Sequence, residues 1–162
     1  MDVVRYRKVF PNVDEQDYDA GSQLVRWTIN AESGTVESSL LSNISQDFPR
    51  INEDYECYKH RFGYSVEQGG KHGYMGLLKI DLEFGATEYH DVGENNAASE
   101  PVFVSTGEQE DEGYMLSVVF NDSNELSEVR IIDAQNFSSV PLAIIKLNTR
   151  VPFGFHGNFI KQ

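Results

Sequence analysis

Cysteine is nearly absent from this 162-residue chain: Cys57 stands alone. That excludes an intramolecular disulfide and fits a reducing compartment. Cationic side chains are scarce, with 13 Lys and Arg against 26 Asp and Glu and a formal net charge of −13. Such a balance repels phosphate backbones and anionic lipid, so nucleic acid and polybasic membrane docking are disfavoured as partners. No apolar run approaches the 18 or so residues of a membrane-spanning helix. The opening MDVVRYRKVF has no apolar stretch suited to a signal peptide. A soluble, cytoplasmic protein is therefore expected, and the N-x-S sequons at Asn43, Asn121 and Asn136 carry no meaning in that compartment. The sequence also lacks HExxH, CxxC, GxSxG and any glycine-rich phosphate loop, which leaves no zinc, serine-nucleophile or nucleotide motif.

Helical spacing is missing too: no window of a dozen residues carries apolar side chains at i, i+3, i+4 and i+7. What recurs instead are short runs rich in Val, Ile, Tyr and Phe, separated by Gly, Asn, Asp and Ser. They predict strands at Val3–Phe10, Gln23–Asn30, Thr35–Leu41, His60–Val66, Leu77–Leu82, Thr87–Val92, Val102–Ser105, Tyr114–Phe120, Glu128–Asp133 and Leu142–Leu147. Leu24 to Ile29 and Leu77 to Leu82 show the alternation of half-buried strands. With 40% hydrophobic and 24% charged residues, the chain is a globular all-β protein.

A repeat joins these runs. Trp27-Thr-Ile-Asn-Ala-Glu-Ser-Gly34 aligns with Leu78-Lys-Ile-Asp-Leu-Glu-Phe-Gly85 at an offset of 51, and Ile131-Ile-Asp-Ala-Gln-Asn-Phe137 keeps the acid at an offset of 52. Asn30 and Asp81 can start a turn by accepting backbone hydrogen bonds, and each Gly can supply a positive φ. β-repeats of about 40–50 residues mark propeller blades. Three unrelated hairpins in a β-sandwich are the alternative. At about 50 residues per blade the chain holds about three, whereas propellers close with at least four. Either the fold differs or the chain is part of a larger propeller.

Four histidines could carry chemistry. His60 sits between Lys59 and Arg61, His72 in the Gly69-Gly-Lys-His-Gly73 loop, and His90 beside Asp91 as a surface pair. All three read as structural. His156, in Arg150-Val-Pro-Phe-Gly-Phe-His-Gly157, lies among aromatics and glycines. It is expected to be partly desolvated and neutral, which suits a metal ligand, a base or a satisfied core histidine. The acidic run Glu108, Glu110, Asp111 and Glu112 reads as a solvated loop. Asp47 and Glu100 each precede a short extended segment with a proline, 53 residues apart, and His156 follows Glu100 by 56. In a propeller that phase places all three near one end of successive inner strands.

At these residues the sequence resembles a known family. Asp47-Phe-Pro-Arg-Ile-Asn52, Ser99-Glu-Pro-Val-Phe-Val104, Asp111-Glu-Gly-Tyr-Met-Leu-Ser-Val118 and Arg150-Val-Pro-Phe-Gly-Phe-His-Gly157 are similar, in order and spacing, to motifs of the carotenoid cleavage oxygenases. The resemblance covers about Val3 to Phe159. It implies about three blades of a seven-bladed β-propeller, an incomplete propeller in which residues 1–162 are the C-terminal portion and the N-terminal blades are absent. It further implies Fe(2+) held by four histidines with no carboxylate bound directly. His156 would be the last of these, and the other three would come from outside this chain. Glu100 matches a family glutamate that accepts the remote N–H of a ligand histidine. Asp47 falls where many members have Glu, so its reach is shorter by about one bond length.

Two readings follow. By resemblance, the chain is the C-terminal part of an iron-dependent dioxygenase that adds O₂ across a double bond of an apolar polyene or stilbene-like substrate. In that reading the full-length enzyme is cytoplasmic with peripheral membrane contact, and the isolated fragment is inactive. Alternatively it is a non-catalytic β-propeller fragment or binding module that self-associates through exposed blade flanks.

Overall fold

The computed structural model describes residues 1–6 and 21–161. Its regular structure is almost wholly strand, and among the described residues there is no α-helix, only a 3-10 turn at Glu53–Tyr55. Asp2–Arg5 (β1), Gln23–Asn30 (β2) and Thr35–Ser42 (β3) form the first sheet in that order. Gln46–Arg50 (β4), Phe62–Gln68 (β5), Tyr74–Asp81 (β6) and Thr87–His90 (β7) form the second. The third holds Ala97–Ala98 (β8) and Val102–Ser105 (β9), both paired to one edge of Gly113–Asn121 (β10), then Leu126–Asp133 (β11) and Ala143–Lys146 (β12). Every pairing is antiparallel. Three successive up-and-down sheets agree with about three blades of an incomplete propeller. The predicted strand Val3–Phe10 lies outside the described residues beyond Tyr6.

The repeated turn forms as its residues dictate. Asn30 Oδ1 accepts from the backbone N–H groups of Glu32 and Ser33, both at 3.0 Å. Asp81 Oδ1 accepts from Glu83 at 3.0 Å and Phe84 at 3.2 Å. Asp133 Oδ1 accepts from Gln135 at 2.9 Å and Asn136 at 3.4 Å. Each turn thus starts at the same place, the end of the strand that leads into the outermost hairpin. Gly34 and Gly85 close the first two at φ 69° and 71°, a region that strains any residue with a Cβ. A Cβ at Gly85 would meet nothing within 4 Å, so Gly85→Ala isolates the backbone term. It is expected to lower stability by about 1 kcal/mol, measurable as a shift in urea midpoint.

Burial follows from the order of the sheets. The second sheet lies between the other two, and β6 is therefore buried on both faces: Leu78 and Ile80 pack with Leu24 of the first sheet, while Leu77 packs with Met115, Val119 and Ile132 of the third. Leu77, Leu78, Lys79 and Ile80 are all buried, which corrects the expectation of a half-buried strand: the sheets on either side cover both faces. On the first sheet, the face opposite Leu24 is buried at Val25 and exposed beyond it. Trp27 and Ile29 on β2, with Val36 and Leu40 on β3, share that face and are exposed. After β12 the chain turns back across the far face of the third sheet, tied there by Val151 N–H to Ser127 Oγ at 2.9 Å.

Candidate metal centre

That returning segment carries His156 to the inner edge of the second and third sheets. Nδ1 of His156 lies 3.1 Å from Glu100 Oε1, and the Gly157 N–H donates to Glu100 Oε2 at 2.7 Å. Glu100 sits in the Ser99–Pro101 break between β8 and β9, where proline cannot continue the ladder. Its side chain is only 5% exposed. A carboxylate accepts and does not donate, so the contact assigns the proton of a neutral imidazole to Nδ1 and the lone pair to Nε2. Nε2 takes no hydrogen bond from the described residues, and the ring is 75% exposed. This corrects the expectation of a partly desolvated imidazole. Phe48 covers it on one side, edge-on at 5.8 Å, and no other described element is laid over it.

Beside the pair lies a cavity of about 290 Å³ between the returning segment and the third sheet, walled by Phe48, Val102, Leu116, Phe120 and Phe153. The wall is apolar and the Glu100–His156 pair is its charged corner.

Asp47 is nearby but does not touch His156. Its Oδ1 accepts the Phe48 N–H at 2.8 Å, its Oδ2 faces the Tyr74 hydroxyl at 3.5 Å, and the Tyr6 phenol lies beside the carboxylate. Burial and the Asp47 charge push the Tyr6 phenol well above its ordinary range. The structure therefore brings Glu100 to His156 and sets Asp47 on the same side of the site, one residue from the phenyl ring that packs on the imidazole.

The remaining histidines are dispersed. His60 pairs with Asp2 at 3.1 Å, which raises its pKa. His72, expected in a loose loop, is tied to Asp122 at 2.8 Å and stands edge-on to Phe120 at 5.0 Å. His90 corrects the surface-pair reading: it is 2% exposed, with Nδ1 on the Phe137 carbonyl at 3.0 Å. The strand turns it inward beside Leu77, against the third sheet. Burial depresses its pKa. The unfolded chain takes up a proton at this ring near the ordinary 6.5, while the folded chain resists until lower pH. The stability it contributes is complete above about 6.5 and is lost as pH falls toward the folded value. His60 acts in the opposite sense, its contribution being lost as pH rises through its raised value. In urea melts between about pH 7.5 and about pH 5.5, His90→Leu is expected to show a shallower acid-side loss than the unaltered protein.

The acidic run is also more than a solvated loop. Glu110 Oε1 accepts the N–H groups of Arg61 and Phe62 at 2.7 and 2.6 Å, and Asp111 holds the buried Lys79 ammonium at 2.9 Å. Among the described residues no three His, Cys, Asp or Glu side chains converge on a metal-sized site. The chain thus offers one oriented imidazole, which fits one corner of an imidazole-ligated metal and no more. Arg50, which sequence reasoning passed over, donates to Glu100 Oε1 at 3.3 Å. Its position three residues after Asp47, in a motif otherwise acidic and apolar, was the available sign.

A family model described as RPE65, retinal pigment epithelial membrane protein, matches residues 1–161. Among curated proteins, the carotenoid 9,10(9',10')-cleavage dioxygenase of Crocus sativus is 32% identical over 158 residues, covering 87% of this chain and 29% of its own length. A carotenoid cleavage oxygenase of Mycobacterium tuberculosis is 32% identical over 172 residues, covering 98% and 33%. Of solved structures, a mutant of the Synechocystis apocarotenoid oxygenase matches with a TM-score of 0.90 at 28% identity, covering 99% of this chain and 36% of that one. A cobalt-substituted form of the same oxygenase matches with a TM-score of 0.89 at the same identity and coverage. The chain spans about a third of the length of the relatives it matches.

Proposed function

Because the chain belongs to the carotenoid cleavage oxygenase family, we propose that it is the C-terminal portion of an iron(II)-dependent dioxygenase acting on a carotenoid, apocarotenoid or stilbene-like double bond. The observation that carries this reading is the Glu100–His156 contact, which leaves Nε2 without a partner beside an apolar cavity. Neutral imidazoles suit Fe(II), and a carboxylate behind the ring raises ligand basicity and fixes its orientation. The cobalt-substituted relative is consistent with a metal at such a site.

In this reading His156 contributes one of four imidazoles, and the remaining three come from outside residues 1–162. Iron(II), when bound, supplies the activation of O₂. Overall, the carbon–carbon double bond breaks and each carbon takes one oxygen atom, so one O₂ gives two carbonyl groups. The chain's own part is to hold the Nδ1 proton on Glu100, keep the Nε2 lone pair available, and wall the reacting bond with Phe48, Phe153 and Phe120. Asp47 would orient a histidine outside this chain, either directly or through a bridging water.

One imidazole does not retain Fe(II), so the 162-residue chain by itself is expected to carry no stoichiometric iron and to cleave no polyene. Metal analysis after dialysis of that polypeptide tests this, and one iron per chain would overturn it. A second reading, a non-catalytic self-associating module, is favoured by the exposed Trp27, Ile29, Val36 and Leu40 face. Sedimentation of the same polypeptide as dimers that Ile29→Glu dissolves is its expected result.

A further inference from the structure

The strand that carries Asp47 has an irregularity with a chemical consequence. β4 pairs with β5 through Asp47 opposite Val66 and Arg50 opposite Tyr64. Three steps along β4 thus match two along β5, which is a β-bulge. A regular strand sets residues three apart on opposite faces. The extra residue returns Arg50 to the face of Asp47, the one that looks toward the third sheet. Phe48 makes the bulge with φ at 51°, a left-handed conformation that a bulky residue rarely adopts. Such strain persists where surrounding contacts over-determine it, and it gathers at functional sites.

The bulge delivers the Arg50 guanidinium onto both partners of the candidate ligand. Nη1 donates to Glu100 Oε1 at 3.3 Å and to the Gly157 carbonyl at 3.4 Å, while Nη2 donates to Glu53 at 2.6 Å. Glu100 is buried, and its two oxygens receive three donors: the imidazole, the Gly157 N–H and Arg50. Oε1 is shared between the imidazole and Arg50. Nη1 bridges the carboxylate and the carbonyl of the residue after His156 while Nη2 anchors the planar fork on Glu53, linking three stretches of chain far apart in sequence.

We infer that Arg50 is a positioning residue: it fixes the Glu100 carboxylate and the Gly157 backbone so that the His156 imidazole keeps one tautomer and one ring orientation. This rests on the reading of His156 as a metal ligand. Lysine keeps the charge but lacks the fork, so it restores the arrangement only in part.

The test uses the polypeptide that carries this chain together with the rest of its blades, with 15N-labelled histidine. Two readouts are taken on Arg50→Gln, Arg50→Lys, Glu53→Gln and His156→Ala. The first is the His156 tautomer in metal-free protein at alkaline pH, by long-range 1H–15N correlation. The second is the Co(II) dissociation constant and visible spectrum on titration with cobalt chloride. The unaltered protein is expected to show a single Nδ1–H tautomer. Arg50→Gln should mix the tautomers and weaken Co(II) binding about 10-fold, with Arg50→Lys between the two. Glu53→Gln, which keeps an oxygen acceptor for Nη2 and removes only the outer charge, should match the unaltered protein in both. An unaltered tautomer and Co(II) affinity in Arg50→Gln would overturn the inference while leaving His156 a ligand. Unaltered Co(II) affinity in His156→Ala would instead sink the ligand reading, and the tautomer signal, which needs no metal, would still accept or reject Arg50.

Discussion

Replacing His156 with alanine in the complete polypeptide is expected to weaken iron binding by at least about 100-fold, the upper end of what loss of a mere outer partner brings. The reason is geometric. The ring is the single imidazole of this chain whose Nδ1 is held by a buried carboxylate while Nε2 has no hydrogen-bond partner among the described residues. His60, His72 and His90 are committed to Asp2, Asp122 and the Phe137 carbonyl. Their alanine variants should therefore keep full iron content. Glu100→Gln should sit between these extremes, with a loss of about 10- to 100-fold. Its side-chain oxygen can still accept from Nδ1, but its amide nitrogen faces the Gly157 N–H donor. Iron content after dialysis and the rate of polyene cleavage read all five variants. Full iron in His156→Ala would exclude the ligand role.

Asp111→Ala should have the largest effect on stability of any single exposed-loop change, about 3–5 kcal/mol. The target looks peripheral, in a loop of acidic residues, yet it neutralises a lysine drawn deep between the second and third sheets. Lys79 is 4% exposed, with Nζ on Asp111 Oδ2 at 2.9 Å and on the Ala134 carbonyl at 2.6 Å. Its ammonium also lies over the Phe62 ring at 4.5 Å. Removing the carboxylate leaves a buried ammonium with the Ala134 carbonyl, the Phe62 ring and only the longer 3.8 Å contact to Glu88. Combining Asp111→Ala with Lys79→Met removes the stranded charge and should recover most of the loss, because an apolar pair of similar volume often equals a buried ion pair. Thermal or urea denaturation of the single and double variants measures both. An Asp111→Ala protein as stable as the parent would mean that solvent or Glu88 compensates the Lys79 charge.

The strands were legible because their side chains alternate or run continuously apolar, and Gln23–Asn30 and Val102–Ser105 have the bounds the sequence predicts. The repeat was legible through Asn30, Asp81 and Asp133, since an Asx turn writes its requirement into one residue. The two-residue β8 was not, because Ala97 and Ala98 carry no β preference and pair only through their place beside β10. Burial of His90 escaped for a related reason. Which face of β7 turns inward depends on what the third sheet lays against it, and no local pattern records that. The Glu100–His156 contact came from family motifs, since spacing placed the two only near one end of successive inner strands. Arg50 escaped because its side is decided by a bulge, and a bulge reverses the parity that strand reading relies on.

The separation in sequence of the parts of this site carries a consequence for biogenesis. Arg50 meets Glu100 across 50 residues, His156 meets Glu100 across 56, and Arg50 reaches Gly157 across 107. Closing loops of that length is slow unless the intervening strands have already paired. During synthesis the imidazole emerges after every sheet described here, and its carboxylate and guanidinium partners wait in place for it. Under the proposed iron reading, metal would then be captured by a folded protein and would not nucleate one, so iron scarcity in the cell should leave a stable, empty polypeptide and spare it from the degradation that unfolded chains meet.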